Sequence, residues 1–242
     1  CQSGFGPNDL QSLGGRPAMG CVINKLLGST EDTAPTFVDL MQGRPLVRNS
    51  GRPGFLGPSY GPFRPDLSKI FARELETGMK GELARLGNNH TTSLTLNPDL
   101  PLGRIRSRRQ LLAGLDRIKR DVDASGMMEA MDRFTQQAVG ILTSGRFAEA
   151  LDFSNEPTEV VARYQAPADK IERFVTSESP EGSMKLLLAR RLIEAGVRVV
   201  SLTISDFDTH SKNFPRMRQM APIIDQGLTA LVDDLDERGM LD

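Results

Sequence analysis

From residue 184 onward the apolar positions fall into helical register. Met184, Leu187, Leu188, Leu192 and Ala195 step by three and four, and Leu186, Ala189 and Ile193 widen the same face. Lys185, Arg190, Arg191 and Glu194 are left for solvent, and Gly196 is placed to close the helix in a left-handed turn. The pattern then changes. Residues 197–205 are rich in β-branched side chains and largely apolar, which predicts a strand covered on both faces in a mainly parallel sheet. A helix feeding such a strand is half of a βαβ unit, so the pattern reads as α/β.

Further along, Met217, Met220, Ala221, Ile224, Leu228, Leu231 and Leu235 predict an amphipathic helix, kinked at Pro222 or effectively starting there and ended by Gly239. Near the beginning, a loop over residues 1–17 leads to a short helix over 18–27, whose apolar face is Met19, Val22, Ile23, Leu26 and Leu27 and whose stop is Gly28. Residues 36–40 read as a short strand. Residues 42–65 are too dense in glycine and proline for a regular element. They carry Phe55, Leu56, Tyr60 and Phe63, which predicts a long ordered loop packed by its own aromatics. Arg44, Arg48, Arg52 and Arg64 in that loop default to solvated surface, with an anionic ligand as the alternative.

The middle of the chain reads as mainly helical. Helical stretches over 66–86 are interrupted at Gly78 and Gly81, and a short strand is expected at 93–96. Amphipathic helices follow over 104–124 and 125–142, the second with Met127, Met128 and Met131 as core filler. Shorter helices are expected over 147–151 and from 154–157 through Arg163, and 165–180 is a connection. The organisation is thus one partial domain over 1–242. A loop-rich segment covers 1–65, a mainly helical segment 66–180, and a helix-strand-loop-helix core 181–242.

A length of 242 residues allows a sizeable core, and a net charge of −1 with both signs interspersed indicates no global pull toward nucleic acid or an acidic membrane. Two cysteines, Cys1 and Cys21, are too few for a disulfide framework, although they could pair. No run has the length of a transmembrane helix, and no export signal is read. The sequence opens on Cys1 and stops after a helix that should return the chain to another parallel strand, so an internal piece of a longer chain is expected. A processed lipoprotein N-terminus is the alternative.

Candidate chemistry follows the predicted strand. In open α/β sheets the functional crevice lies outside the carboxyl ends of the strands, where Ser205-Asp206-Phe207-Asp208-Thr209-His210-Ser211 begins. On extended backbone Asp206, Asp208 and His210 point to one side, about 6–7 Å apart per two-residue step. Carboxylate oxygen and imidazole nitrogen are ordinary ligands for zinc and similar divalent ions, at roughly 2.0–2.2 Å. The plainer alternative is that an aspartate closes a turn and His210 is solvated. His90, in a polar turn, reads as a surface or hydrogen-bonded histidine, with ligation the less favoured option.

Several blocks together resemble a known family. Residues 187–198 (Leu-Leu-Ala-Arg-Arg-Leu-Ile-Glu-Ala-Gly-Val-Arg), Phe207-Asp208-Thr209-His210 and residues 231–239 occur in the order seen in the domain of unknown function 1501 family. Residues 16–20, 53–60 and 151–157 look like further blocks, so the resemblance spans nearly the whole chain. These proteins are sulfatase-like and related to the alkaline phosphatase superfamily. The resemblance implies an incomplete alkaline-phosphatase-like sheet with flanking helices and a divalent metal site (zinc, calcium or magnesium) acting on an anionic phosphate or sulfate ester. It implies Asp208 and His210 as metal ligands, with Asp206 available as a third; Phe207 stands where the family often has tryptophan. It also implies export to the periplasm or cell surface. The family's early metal-binding acid, its nucleophile region and its C-terminal Gly-Glu-Phe-Gly-Arg-Thr-Pro and Asp-His blocks do not occur in these residues. No catalytic residue is therefore assigned, and the expectation is the central fragment of a hydrolase-like protein, inactive alone, with the ion held by the full-length parent and not necessarily by this fragment. The alternative is a non-catalytic binding or surface-associated domain that retains the fold. No nucleic-acid partner is expected, and the oligomeric state is left open.

Overall fold

The computed structural model of the chain describes residues 3–4, 15–29, 32, 34–42, 51–67, 70–71, 145–166, 180–204, 207 and 212–241. The expected elements over 72–86, 93–96, 104–124 and 125–142 lie outside the described residues, as do Cys1, Arg44, Arg48 and His90.

At the centre is a parallel pair of short strands, β1 (Phe37–Asp39) and β2 (Val199–Ser201), in the register Phe37 to Val199, Val38 to Val200 and Asp39 to Ser201. On the other edge of β1 the loop backbone adds a parallel bridge. The Phe63 N–H donates to Phe37 O at 2.9 Å and Phe63 O accepts from the Asp39 N–H at 2.9 Å. β1 is therefore hydrogen-bonded on both edges, and all three of its residues are buried. This corrects the reading of residues 197–205 as the covered strand. β2 keeps only three residues, each half-buried, because among the described residues it pairs with β1 alone.

Five helices are described: α1 (Met19–Leu27), α2 (Arg146–Ala150), α3 (Thr158–Tyr164), α4 (Met184–Glu194) and α5 (Asn213–Glu237). The strand pleat sorts them into layers. Phe37 points to one side, where it packs with Ala18 and Cys21 of the α1 region. Val38 and Leu40 point to the other, into a larger core with Leu186, Leu187, Leu188 and Leu192 of α4, Phe147 of α2 and Tyr164 of α3. The described part is thus mixed α/β: one helix, a small sheet, then a layer in which α3, α4 and α5 touch one another.

Among the described residues the predicted helices form, at 19–27, 146–150, 158–164, 184–194 and 213–237, and Gly196 ends α4 with φ 105° as expected. Their rotation about their own axes is what differs. On α4, Lys185 and Arg190 are buried rather than solvated. On α5, the buried positions are Gln219, Met220, Ile223, Gly227, Ala230 and Asp234, a stripe displaced by about one residue from the apolar one. Gly227 explains the displacement: a Cβ there would lie 2.6 Å from Leu186 Cδ1, so the two helices approach where α5 has no side chain. The helix also begins at Asn213, well before Pro222, because a proline deletes one backbone donor without preventing turns on either side from forming. On α1 the buried residues are Gly20, Cys21 and Asn24, so its apolar stripe faces out.

The glycine- and proline-rich loop is ordered over 51–67, with single 3-10 turns at Gly54–Leu56 and Pro58–Tyr60. It is fastened by the body as well as by itself. Phe63 meets Phe147 edge to face at 5.2 Å, and Leu56 packs on the Ala18–Cys21–Phe37 cluster.

Candidate functional site

Parallel strands place their carboxyl ends on one side, so Asp39 and Ser201 leave the sheet together. The Asp39 side chain is fully buried there, yet its carboxylate is well supplied with donors. Oδ1 accepts from the Ser201 hydroxyl at 2.8 Å and from the Met41 N–H at 3.2 Å, and Oδ2 accepts from Arg64 Nε at 3.1 Å. Arg64 also donates to Gly51 O at 2.9 Å, tying the ordered loop to the strand end. Arg64 is therefore an ion-pair partner of Asp39 and not the solvated residue expected.

Just beyond, Lys185 donates its Nζ proton to Thr203 O at 3.3 Å and lies 5.9 Å from the centre of the Phe71 ring. Gln42 donates to Phe71 O at 3.4 Å. Thr203 Oγ1 and Gln42 Oε1 are buried without a hydrogen-bond partner. Unpaired buried oxygens are costly, at roughly 1–3 kcal/mol each, and in folded proteins they commonly mark a water or ion. Two buried charged side chains thus hold the chain as it exits β2: Asp39 through Ser201, and Lys185 through the Thr203 carbonyl.

The exit leads directly to the Asp/His segment. Asp206, Asp208 and His210 lie outside the described residues; Phe207, between two of them, is exposed. Among the described residues no group of three His, Cys, Asp or Glu side chains is placed to hold a metal ion. The segment is followed by Lys212, whose φ of 53° and ψ of 41° put a residue with a Cβ in the left-handed region immediately before α5. Such backbone strain costs about 1–2 kcal/mol and recurs beside functional loops.

A second charged cluster lies where α3, α4 and α5 meet. Arg190 donates Nε to Asp234 Oδ2 at 2.9 Å and its other nitrogens to Glu156 and Glu194. Asp234 also accepts from the Tyr164 hydroxyl at 2.9 Å and from Arg238 Nε at 2.7 Å. Arg191 pairs with Glu156 and caps the carbonyls of Glu149, Ala150 and Asp152. Burial works to raise both Glu156 and Asp234, but it is outweighed. Hydrogen bonds from Arg190 and Arg191 hold Glu156 below its usual range, and those from Arg238 and Tyr164 do the same for Asp234. Tyr164 is pushed up by burial and by donating to a carboxylate. With each charge matched, and only Glu194 and Arg238 reaching solvent, this cluster is a structural clamp.

Cys21, under α1, is a free buried thiol pushed up to about 11, chiefly by burial, against the lowering influence of Arg64. At neutral pH it stays protonated and is a poor nucleophile or metal ligand. The sequence signal for these sites was slight: Asp39 is the one charged residue of the predicted strand 36–40, whereas Lys185 falls on the face that helical spacing leaves for solvent.

The family model described as "Protein of unknown function (DUF1501)" matches residues 4–242, so the chain belongs to the DUF1501 family. No curated protein and no solved structure matches it.

Proposed function

We propose that the carboxyl edge of this sheet is the metal-dependent, ester-hydrolysing site of a sulfatase-like protein related to the alkaline phosphatase superfamily, and that these 242 residues are its central part. In this reading Asp208 and His210 hold a divalent ion (zinc, calcium or magnesium), with Asp206 as a third ligand, and the substrate is an anionic phosphate or sulfate ester. Export to the periplasm or cell surface belongs to the same reading. The observation that carries it is the double fastening of the β2 exit, by buried Asp39 and buried Lys185, just ahead of the Asp/His segment.

The donor types fit such an ion. Two carboxylates and an imidazole suit a hard or borderline divalent cation, and the orphaned oxygens of Gln42 and Thr203 make the adjoining rim oxygen-rich. When bound, the ion supplies Lewis-acid polarisation of the ester oxygens. The described residues do the positioning. Asp39 keeps Ser201 and Arg64 in place, Lys185 fixes the Thr203 carbonyl, and the left-handed Lys212 sets where the segment rejoins α5.

A second reading, a non-catalytic surface-associated domain that retains the fold, draws on the state of Asp39. Three protein donors occupy its carboxylate, which leaves little acceptor capacity for a metal. Elemental analysis of the longer chain that carries the family's flanking blocks, after zinc loading and dialysis, tests the first reading. One ion per chain is expected, lost in both Asp208→Ala and His210→Ala; equal zinc in those variants rejects it. Stoichiometric zinc without turnover of aryl phosphate or sulfate esters, in a chain carrying its family's flanking blocks, selects the second.

A further inference from the structure

Three parallel segments end on the same edge of the sheet. Phe63 bridges Val38 from one side and Val200 pairs with it from the other, so the residues that follow, Arg64, Asp39 and Ser201, stand in a row about 4.8 Å from one neighbour to the next. One carboxylate joins the row: Asp39 accepts from Arg64 Nε on Oδ2 and from the Ser201 hydroxyl on Oδ1. Arg64 is held on its other side as well. Its Nη2 donates to Gly51 O at 2.9 Å, the Phe63 ring before it packs on Phe147, and Pro65 after it is buried.

One nitrogen of this arginine is left over. Arg190, Arg191 and Arg238, the arginines of the clamp, each engage Nε, Nη1 and Nη2 in hydrogen bonds. Arg64 engages Nε and Nη2, and its Nη1 has no partner among the described residues. That nitrogen is not sealed in: the Arg64 side chain is 21% exposed, against 0% for Asp39 beside it. A guanidinium fixed at two nitrogens presents the third in one direction with little further loss of side-chain freedom, an arrangement that suits an oxyanion. Asp39 offsets the charge of Arg64, so what Arg64 adds is direction. The Asp206, Asp208 and His210 segment, five residues beyond Ser201 on the same edge, is where the ester-hydrolase reading puts the compensating charge of a divalent ion.

We infer that Arg64 binds the anionic head of the substrate, its Nη1 donating to a non-bridging oxygen of a phosphate or sulfate ester at the carboxyl edge of the sheet. The assignment rests on the ester-hydrolase reading of this edge and adds a residue to it. It also gives the ordered loop a use. Residues 51–67 are pinned to β1 by the Phe63 bridge and to the body by the Phe63 ring, and what they bring to the strand end is one aimed arginine.

Calorimetric titration of inorganic phosphate into the zinc-loaded longer chain, with zinc content measured on the same samples, tests the assignment. Arg64→Gln should keep its zinc and bind phosphate about tenfold more weakly. Arg64→Lys keeps the test sound if Arg64→Gln does not fold. Its single amine can stay with Asp39 but cannot also reach the anion, so the urea midpoint should stay near that of the unsubstituted chain while phosphate binding weakens to the same degree. An arginine with a structural role alone gives a different pattern: a lowered midpoint in Arg64→Gln and unchanged phosphate affinity in every folded variant. That pattern, or a zinc-loaded unsubstituted chain that binds no phosphate, overturns the assignment and leaves the metal reading standing. Failure of the unsubstituted chain to take up zinc overturns the metal reading instead. Phosphate binding that persists in that zinc-free chain and is lost in Arg64→Lys upholds Arg64 as an anion site, and the absence of both zinc and phosphate overturns the two together.

Discussion

Helices α1 and α4 depart from the rule of apolar inside and polar outside in opposite directions. α4 draws Lys185 and Arg190 into the interior and matches each with acceptors, whereas α1 turns its leucines to solvent and buries a glycine, a thiol and an amide. Both helices form where the spacing of apolar residues places them, so local pattern decides that a helix exists. Which side faces in is decided by what the neighbour can accept. The neighbours of α4 are carboxylates on α5 and the segment before α3, which reward an inward arginine; the neighbour of α1 is the flat ring of Phe37, which admits only Gly20.

The sharpest way to break the comparison is to remove the cation at the centre of the clamp. Arg190→Met keeps most of the volume but removes the buried cation that Glu156 and Asp234 share, leaving Glu156 to Arg191 and Arg238 and Asp234 to Arg238 and Tyr164. The expected loss is about 3–5 kcal/mol, because removing one partner from a buried ion pair costs far more than the pair was favourable. Urea unfolding followed by circular dichroism measures it, and a loss under about 1 kcal/mol would mean that the cluster is effectively solvated.

Acid should weaken the same clamp less abruptly. Glu156 and Asp234 are held below their ordinary values in the folded chain, so in acid the unfolded chain binds more protons. Their contribution is complete above the ordinary carboxylate range of about 4 to 4.5 and is lost as pH falls through the depressed values. Tyr164 acts at the other end. Its value is raised on folding, so its contribution is complete below about 10 and is lost as pH rises further. Thermal melts between pH 3 and pH 11, both limits being roughly the ordinary ranges of these groups, should show stability falling at both edges. In Arg190→Met the acid edge should move toward higher pH, since Glu156 loses one of its three arginines.

How far the sequence shows this architecture depends on what each feature rests on. The helices 19–27 and 184–194, most of 213–237, and the existence of short strands at 36–40 and after Gly196 follow from spacing and glycine placement, which are local; that the two strands pair with each other does not. The covered strand was misassigned to residues 197–205, because a run of β-branched residues looks alike whether it is the central strand or its neighbour. Only the Phe63 bridge, made from the far side by a loop, makes β1 the central one. The Arg190 clamp joins residues 156, 190 and 234, and the Asp39 site joins 39, 64 and 201; no periodicity spans such separations. Asp206, Asp208 and His210 stood out by type and by position after a strand, and the residues that fasten their approach did not, because Lys185 resembles any helix lysine until Thr203 is placed beside it.

The smallest expected effect separates the two helices most cleanly, because it contrasts two positions on opposite faces of α1. Gly20→Val puts a branched side chain where even a Cβ lies 2.7 Å from the Phe37 ring. The ring is buried in the sheet, so relief must come from lifting the helix; a loss of about 1–3 kcal/mol is expected. Leu26→Glu, two turns on and facing out, removes no buried contact and should change stability by no more than about 0.5 kcal/mol. In an ordinary amphipathic helix the order is reversed: the leucine at the seventh position is the costly one, and the small residue beside it tolerates replacement. Urea midpoints of the two variants therefore read the rotation of α1 directly. A large loss for Leu26→Glu with little for Gly20→Val would place the leucine stripe against the sheet.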